Sequence, residues 1–173
     1  MKMNIRQLFD VVGESRSFSE VFDYSNEELY GGYPFQSPVD CSGKIENRAG
    51  VVRLVLCVKF SLNLVCDRCL EPFVREENLQ FTHILVQKLD SDADEDYILC
   101  PAGELDLDDL VRTDVLLELP TKVLCSEDCK GLCEQCGQNL NFGSCKCEKQ
   151  QIDPRLAVLS QLLDSMKEDS QES

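Results

Sequence analysis

A chain of 173 residues, 43% of them hydrophobic, can bury one proper core with a small appended module, and is too short for several large domains. Its formal charge of −15 excludes a uniformly basic surface for coating nucleic acid and favours basic partners. No run approaches the roughly 18 apolar residues needed to span a bilayer. The start MKMNIRQLFD has no apolar signal core or small-residue cleavage site, so the expectation is a soluble cytoplasmic protein with no membrane partner.

In chain order, Ile5, Leu8 and Phe9 suggest a short helix or strand, and Ser17 to Tyr24 alternates as a strand would before a turn at Gly31, Gly32 and Pro34. The clearest element follows. From Val51 to Val65 every even position is apolar (Val52, Leu54, Leu56, Val58, Phe60, Leu62, Leu64), while odd positions include Arg53, Lys59, Ser61 and Asn63. Period 2 sustained this long predicts a strand with one buried face. Upstream, Val39, Cys41, Gly43 and Ile45 alternate with polar residues, and Asn47-Arg48-Ala49-Gly50 has turn chemistry. A hairpin with Glu46 opposite Val51 sets Ile45 against Val52, Cys41 against Leu56 and Val39 against Val58. In that register Cys57 faces away from Cys41.

Cys66 and Cys69 come next, in VCDRCLEPF, between Val65 and a returning alternating run with Leu79, Phe81 and Leu85. The pair therefore sits at the tip of a second hairpin. His83, the single histidine, lies in that strand between apolar neighbours and reads as structural. Asp90 to Asp96 holds five acids and reads as a solvated loop, and Tyr97 to Cys100 as one more short strand. Leu105 to Leu119 predicts a helix that Pro120 stops. Asp106, Asp108 and Asp109 complement its positive end, and Leu107, Leu110, Val111 and Leu117 form its core stripe. Residues 81–119 carry two basic and eleven acidic residues, so the middle of the chain is the acidic part.

Cys125 to Cys147 then packs six cysteines into 23 residues, as CSEDCKGLCEQCGQNLNFGSCKC. Clustered cysteines in an intracellular chain more often hold metal than form bridges. Four thiolates satisfy a tetrahedral zinc ion, and one C-x2-C turn aims two sulfurs at the same ion. Two structural zinc ions on eight cysteines is the reading adopted; a disulfide framework and an iron–sulfur cluster are the alternatives. Cys133, Cys136, Cys145 and Cys147 can close on one ion alone, because the intervening GQNLNFGS is rich in turn formers. Cys125 and Cys129 would then join Cys66 and Cys69, stitching the sheet to the C-terminal segment. A swapped set, Cys66 and Cys69 with Cys133 and Cys136, has equally suitable spacing. Cys41, Cys57 and Cys100 read as ordinary small apolar residues. Asp153-Pro154 opens a last helix, with Leu156, Leu159, Leu163 and Met166 on one stripe, before a polar tail.

The runs MNIRQL, NRAGVV, CDRCLEPF and GELDLDDLV, then CSEDCKGLCEQCGQNLN, CKC and IDPRLAVL, resemble the YceD family, the large ribosomal RNA subunit accumulation proteins, along nearly the whole chain. The resemblance implies a factor for accumulation of large-subunit ribosomal RNA, with no known enzymatic activity and no catalytic residues to transfer. Its partners would be a pre-ribosomal particle, large-subunit rRNA or a basic ribosomal protein, and no small-molecule substrate.

Taken together, the expectation is an α+β protein: an antiparallel sheet with one or two packed helices and a C-terminal zinc module ending in a helix. Residues 1–120 would form the sheet body and 121–173 the Cys-rich segment. No enzyme is expected, because eight cysteines and one histidine leave a closed thiolate site with no open position for water.

Overall fold

The alternating run Val51–Val65 forms the central strand of a five-stranded sheet in the computed structural model, which describes residues 1–88 and 97–147. Every even residue from Val52 to Leu64 on this strand, β4, is buried, and burial switches off at each odd position except where neighbours half-cover it. One face of the strand is therefore core for its entire length, as the period-2 pattern requires.

β4 pairs antiparallel with β3, Val39–Arg48, through Arg48 opposite Val51, Ile45 opposite Leu54 and Cys41 opposite Val58. This corrects the predicted hairpin register by two residues. The connection is the two-residue turn Ala49-Gly50, both in the left-handed region (φ 53° and 88°), whose twist matches that of the strands it joins. A shift of two keeps every side chain on its face, so the predicted core is unchanged. Cys57 does lie opposite Ser42, away from Cys41.

Asn47, read as a turn residue, is instead the one buried polar side chain among the described residues, at 1% exposure. Its amide donates to the Leu8 carbonyl (2.7 Å) and its side-chain oxygen accepts from Gly50 N–H (3.0 Å). It thereby fastens the short helix α1, Arg6–Asp10, onto the hairpin end.

β2, Ser15–Phe22, pairs antiparallel with β3 on the other side. Gly43 leaves the room this needs: a Cβ there would stand 2.6 Å from the Phe18 ring and 2.7 Å from the Val55 carbonyl oxygen. On the far side of β4 runs β5, Pro72–Val86, paired from Val65 opposite Pro72 to Val52 opposite Leu85. The sheet is not wholly antiparallel as expected. Its last strand, β6 (Tyr97–Leu99), runs parallel to β5, with Ile84 opposite Tyr97 and Val86 opposite Leu99. A separate two-stranded antiparallel pair joins β1, Lys2–Asn4, to β7, Glu104–Asp106.

The predicted helix is α2, Leu107–Glu118. Leu105 and Asp106 belong to β7 instead, and the Asp106 carboxylate takes the Met1 amino group at 3.1 Å rather than capping the helix with its side chain. Asp108 and Asp109 do occupy the first turn. The buried stripe is Leu107, Leu110, Val111 and Val115; Leu117 is 80% exposed and is not part of it. At about 100° per residue, Leu117 falls roughly 95° from the centre of that stripe, outside the apolar arc. His83 faces this helix and bonds Asp114 at 2.8 Å, in the structural role expected of it.

The chain divides into two compact units, residues 1–129 and 130–173, the second described over 130–147. The large core belongs to the first and lies on the inner face of the sheet, with Phe35, Ile45, Leu54, Leu56 and Leu107 fully buried. The acidic run 90–96 and the helix expected from Asp153 onward lie outside the described residues. Among the described residues, no helix is long and apolar enough to cross a membrane.

Candidate metal centres

The ends of β4 and β5 hold the six-residue loop 66–71 closed. Cys66 N–H donates to the Glu71 carbonyl (3.0 Å), and Leu70 N–H donates back to the Cys66 carbonyl (2.9 Å). Leu70 takes a left-handed conformation, φ 57°, to make that turn. The result is a knuckle with Cys66 and Cys69 on its inner side. Residues 123–129 come against it through three bonds. Asp67 N–H donates to the Val123 carbonyl (2.8 Å), Val123 N–H donates to Asp67 Oδ2 (2.7 Å), and the Arg68 guanidinium donates to the Cys129 carbonyl (2.9 Å). They bring Cys129 Sγ to 3.7 Å from Cys66 Sγ, and Cys125 Sγ to 3.7 Å from Cys69 Sγ. All four sulfurs lie within 4.8 Å of one another. Cys66, Cys69 and Cys129 are buried, while Cys125 is exposed.

The second unit repeats the device. Cys133 N–H donates to the Gln138 carbonyl and Gly137 N–H to the Cys133 carbonyl, both at 2.8 Å, with Gly137 at φ 71°. A bridge between Leu132 and Asn139, and Leu140 N–H on the Gly131 carbonyl (2.9 Å), close the loop behind it. Cys145 Sγ lies 3.4 Å from Cys133 Sγ, and the sulfurs of Cys133, Cys136, Cys145 and Cys147 again fall within 4.8 Å of one another. This tetrad is more open than the first: Cys136 is exposed and the other three are half-buried.

Both donor sets fit a thiolate-bound ion. Four sulfurs at about 2.3 Å from a tetrahedral zinc stand about 3.8 Å apart, and the Cys66–Cys129, Cys69–Cys125 and Cys133–Cys145 sulfurs are 3.7, 3.7 and 3.4 Å apart. Among the described residues, which include all eleven cysteines, no two cysteines are joined by a disulfide. The eight cysteines expected to bind metal fall into the grouping that keeps 133–147 together, and Cys66 and Cys69 meet Cys125 and Cys129 rather than the swapped partners.

Each tetrad is electrostatically divided. Burial resists ionisation of Cys66, but the N–H groups of Cys125, Cys69 and Arg68 and the Cys69 thiol overcome it and bring that thiol down to about 6. Although Cys125 as a residue is exposed, loss of water from its sulfur and then the three neighbouring sulfurs push that thiol up to about 12. In the second tetrad the N–H groups of Cys136 and Gln135 lower Cys133 to about 6, while the Cys136 sulfur, with burial behind it, raises Cys147 to about 12. One thiolate per tetrad is thus welcomed by backbone dipoles, and the next is opposed by it. A bound divalent cation is the group that would relieve that opposition.

The other cysteines stand apart. Burial pushes the thiols of Cys41 and Cys100 up to about 11, and Cys57 donates to Asn78 Oδ1 at 3.2 Å. Sequence reasoning gave Asp67, Arg68 and Val123 no part in joining the halves of the first tetrad; Asp67 and Arg68 fill the two places inside the C-x2-C spacing, where such bonds are short to make.

A family model described as Large ribosomal RNA subunit accumulation protein YceD matches residues 54–163. The chain belongs to the YceD family. The matched stretch contains both tetrads in full. This YceD-family chain is similar along 94% of its length to a Bacillus subtilis protein, Uncharacterized protein YlbN, with 29% identity over 167 residues and 96% of that protein covered. It is 28% identical over 149 residues to the chloroplastic Large ribosomal RNA subunit accumulation protein YCED homolog 1 of Zea mays, across 68% of this chain. It spans about half the length of that plant relative, 51%. Rv2926c of Mycobacterium tuberculosis, another uncharacterized protein, is 34% identical over 102 residues, covering 57% of this chain and 49% of that one. No solved structure matches the chain.

Proposed function

We propose that this protein is a non-catalytic binding factor, held together by two structural zinc ions, that supports accumulation of large-subunit ribosomal RNA in the cytoplasm. The role is carried over from the family description, which names large ribosomal RNA subunit accumulation. Cys66, Cys69, Cys125 and Cys129 hold one ion, and Cys133, Cys136, Cys145 and Cys147 the other. The observation that carries the reading is that both donor sets are complete tetrads of sulfur within 4.8 Å. A catalytic zinc keeps a position for water, whereas four thiolates fill the shell and supply only folding energy. In this reading residues 1–120 are the body and 121–173 the zinc-dependent segment clipped to it. The partners are a pre-ribosomal particle and, within it, a basic ribosomal protein or the RNA itself.

The acidic balance of the chain, −15 overall and concentrated in residues 81–119, supports contact with a basic protein. Direct RNA contact has one supporting feature. Lys44 and Arg48 each lie 2.8 Å from the Glu46 carboxylate and Arg53 is its cross-strand partner, so the β3–β4 hairpin end carries three cations around one acid. Elemental analysis of protein purified without chelator should find two zinc ions per chain. Depleting the protein from cells should lower large-subunit rRNA relative to small-subunit rRNA. An unchanged ratio after depletion overturns the functional reading.

A further inference from the structure

The two tetrads differ in what an oxidant can reach. In the first, Cys66, Cys69 and Cys129 are 0, 3 and 3% exposed. Cys125 is exposed as a residue, but its sulfur has lost its water to the three around it. The segments that carry this tetrad are also clamped without sulfur, by Asp67 with Val123 in both directions and by Arg68 on the Cys129 carbonyl. In the second, none of the four cysteines is buried: Cys136 is exposed, and Cys133, Cys145 and Cys147 are half-buried. All four fall within one stretch of 15 residues, inside a compact unit of their own.

A cysteine that responds to oxidants needs access, and a second sulfur beside it to turn the first oxidation product into a disulfide. The second tetrad meets both conditions at Cys136, with three further sulfurs within 4.8 Å. Distances also set the pairing. Cys133 and Cys145 sulfurs are 3.4 Å apart, and the Cys147 sulfur is in hydrogen-bond contact with that of Cys136.

We propose that the second tetrad is an oxidant-sensitive switch, in which a hydroperoxide converts its four thiolates into the disulfides Cys133–Cys145 and Cys136–Cys147 while the first tetrad keeps its ion. The inference rests on the proposed zinc reading and adds regulation to it. Cys136 is the entry point. Its thiolate attacks one peroxide oxygen, the O–O bond breaks, and the sulfur becomes a sulfenic acid as hydroxide leaves. The Cys147 thiolate then attacks that sulfur, forming the S–S bond and expelling a second hydroxide. Two electrons pass from sulfur to oxygen, so each disulfide consumes one peroxide. A second peroxide joins Cys133 to Cys145 in the same way. Thiolates bind zinc and disulfide sulfurs do not, so the donor set is lost.

The test treats zinc-loaded full-length protein with hydrogen peroxide at neutral pH and follows release with a colorimetric zinc chelator. One ion per chain should leave at least roughly tenfold faster than the other. Mass mapping without reductant, once the first ion has left, should find Cys133–Cys145 and Cys136–Cys147 bridged and Cys66, Cys69, Cys125 and Cys129 reduced. Amide exchange in β3, β4 and β5 should stay as in untreated protein, and dithiothreitol with zinc should restore two ions. Cys136→His keeps a zinc ligand but removes the open sulfur, so it should slow the first release by about the same factor. Should that variant fail to load zinc, the mapping of the parent decides alone.

Release of both ions together, no release, bridges formed first among Cys66, Cys69, Cys125 and Cys129, or the other pairing within 133–147 overturns the proposal. So does a zinc-loaded Cys136→His variant that releases as fast as the parent. The wider reading fails separately: protein purified without chelator that carries no zinc overturns both, whereas two ions without selective release overturn the switch alone.

Discussion

Asp67 and Val123 are 56 residues apart in the chain and exchange two hydrogen bonds, Asp67 N–H to the Val123 carbonyl at 2.8 Å and Val123 N–H to Asp67 Oδ2 at 2.7 Å. The pair lies beside the first tetrad and aligns the irregular segment that delivers Cys125 and Cys129 with the knuckle that delivers Cys66 and Cys69. Val123 is 2% exposed, so removing the carboxylate leaves its N–H with no water to turn to. Asp67→Ala should therefore cost about 2 kcal/mol of stability, and Asp67→Asn, which keeps an acceptor, about half of that. The same change should weaken metal retention at the first site by roughly tenfold or more, since partners of the ligating segment set its affinity. Urea denaturation and competition with a colorimetric zinc chelator measure the two effects.

The tetrads should differ in how far their loss spreads. The first joins Cys69 at a hairpin tip to Cys125 across 56 residues, whereas Cys133 and Cys147 span a single local loop. A cross-link that closes a loop of that length restricts the unfolded chain by about 4 kcal/mol in the chain-entropy account. Cys69→Ser should accordingly lower the melting temperature of the sheet body and release one ion. Cys133→Ser should release the other ion while amide exchange in β3, β4 and β5 stays as in the parent. Equal melting of both variants and parent would remove the ligand assignment.

Much of this was legible beforehand, and the misses have definite causes. Parity alone exposed the buried face of β4, because Val52 through Leu64 repeat on a strict period of two. Parity is blind to a slip of two, so it admitted Glu46 opposite Val51 when the partner is Arg48. The deciding fact was Ala49 at φ 53°, a conformation its side chain does not advertise as glycine or asparagine would. Loop lengths left two groupings of the eight cysteines equally open, and only the fold, which sets Asp67 against Val123, brings Cys66 and Cys69 to Cys125 and Cys129. Leu117 was misplaced because an apolar residue at the margin of a helical stripe looks the same in sequence whether it faces the core or solvent. The direction of β6 depends on its connection from β5, and a three-residue strand carries no orientation of its own.

The contrast between Leu70 and Gly137 bears on stability. Both N–H groups return to the first cysteine of their knuckle, at 2.9 and 2.8 Å, from left-handed residues. Leu70→Gly should remove the clash between Cβ and backbone and gain about 1 kcal/mol, less a few tenths for the greater freedom of glycine in the unfolded chain. Gly137→Leu should lose a similar amount at the second site. Chemical denaturation midpoints of the zinc-loaded variants decide it, and a destabilised Leu70→Gly would mean that the leucine side chain packs within the chain.

Alkaline stability tests the remaining buried thiols. Burial, helped at Cys41 by the neighbouring Cys57 and Asp114, pushes Cys41 and Cys100 up to about 11. In the unfolded chain a thiol ionises near about 8.5. Between those values the unfolded state gives up protons that the folded state keeps, so the balance moves toward unfolding. The contribution is whole below pH about 8.5 and is lost as pH rises through about 11. Tyr24, whose hydroxyl is raised by burial and then by Asp108, adds in the same sense at still higher pH. Neither cysteine belongs to a tetrad, and thiolate–metal bonds do not weaken as protons become scarcer, so the ions should stay bound throughout. Denaturation midpoints should hold steady from neutral pH to about 8.5 and then fall, with a shallower fall in Cys41→Ala and Cys100→Ala. For the same reason an alkylating reagent at neutral pH should leave both thiols unmodified in zinc-loaded protein, since the thiolate is the reacting species.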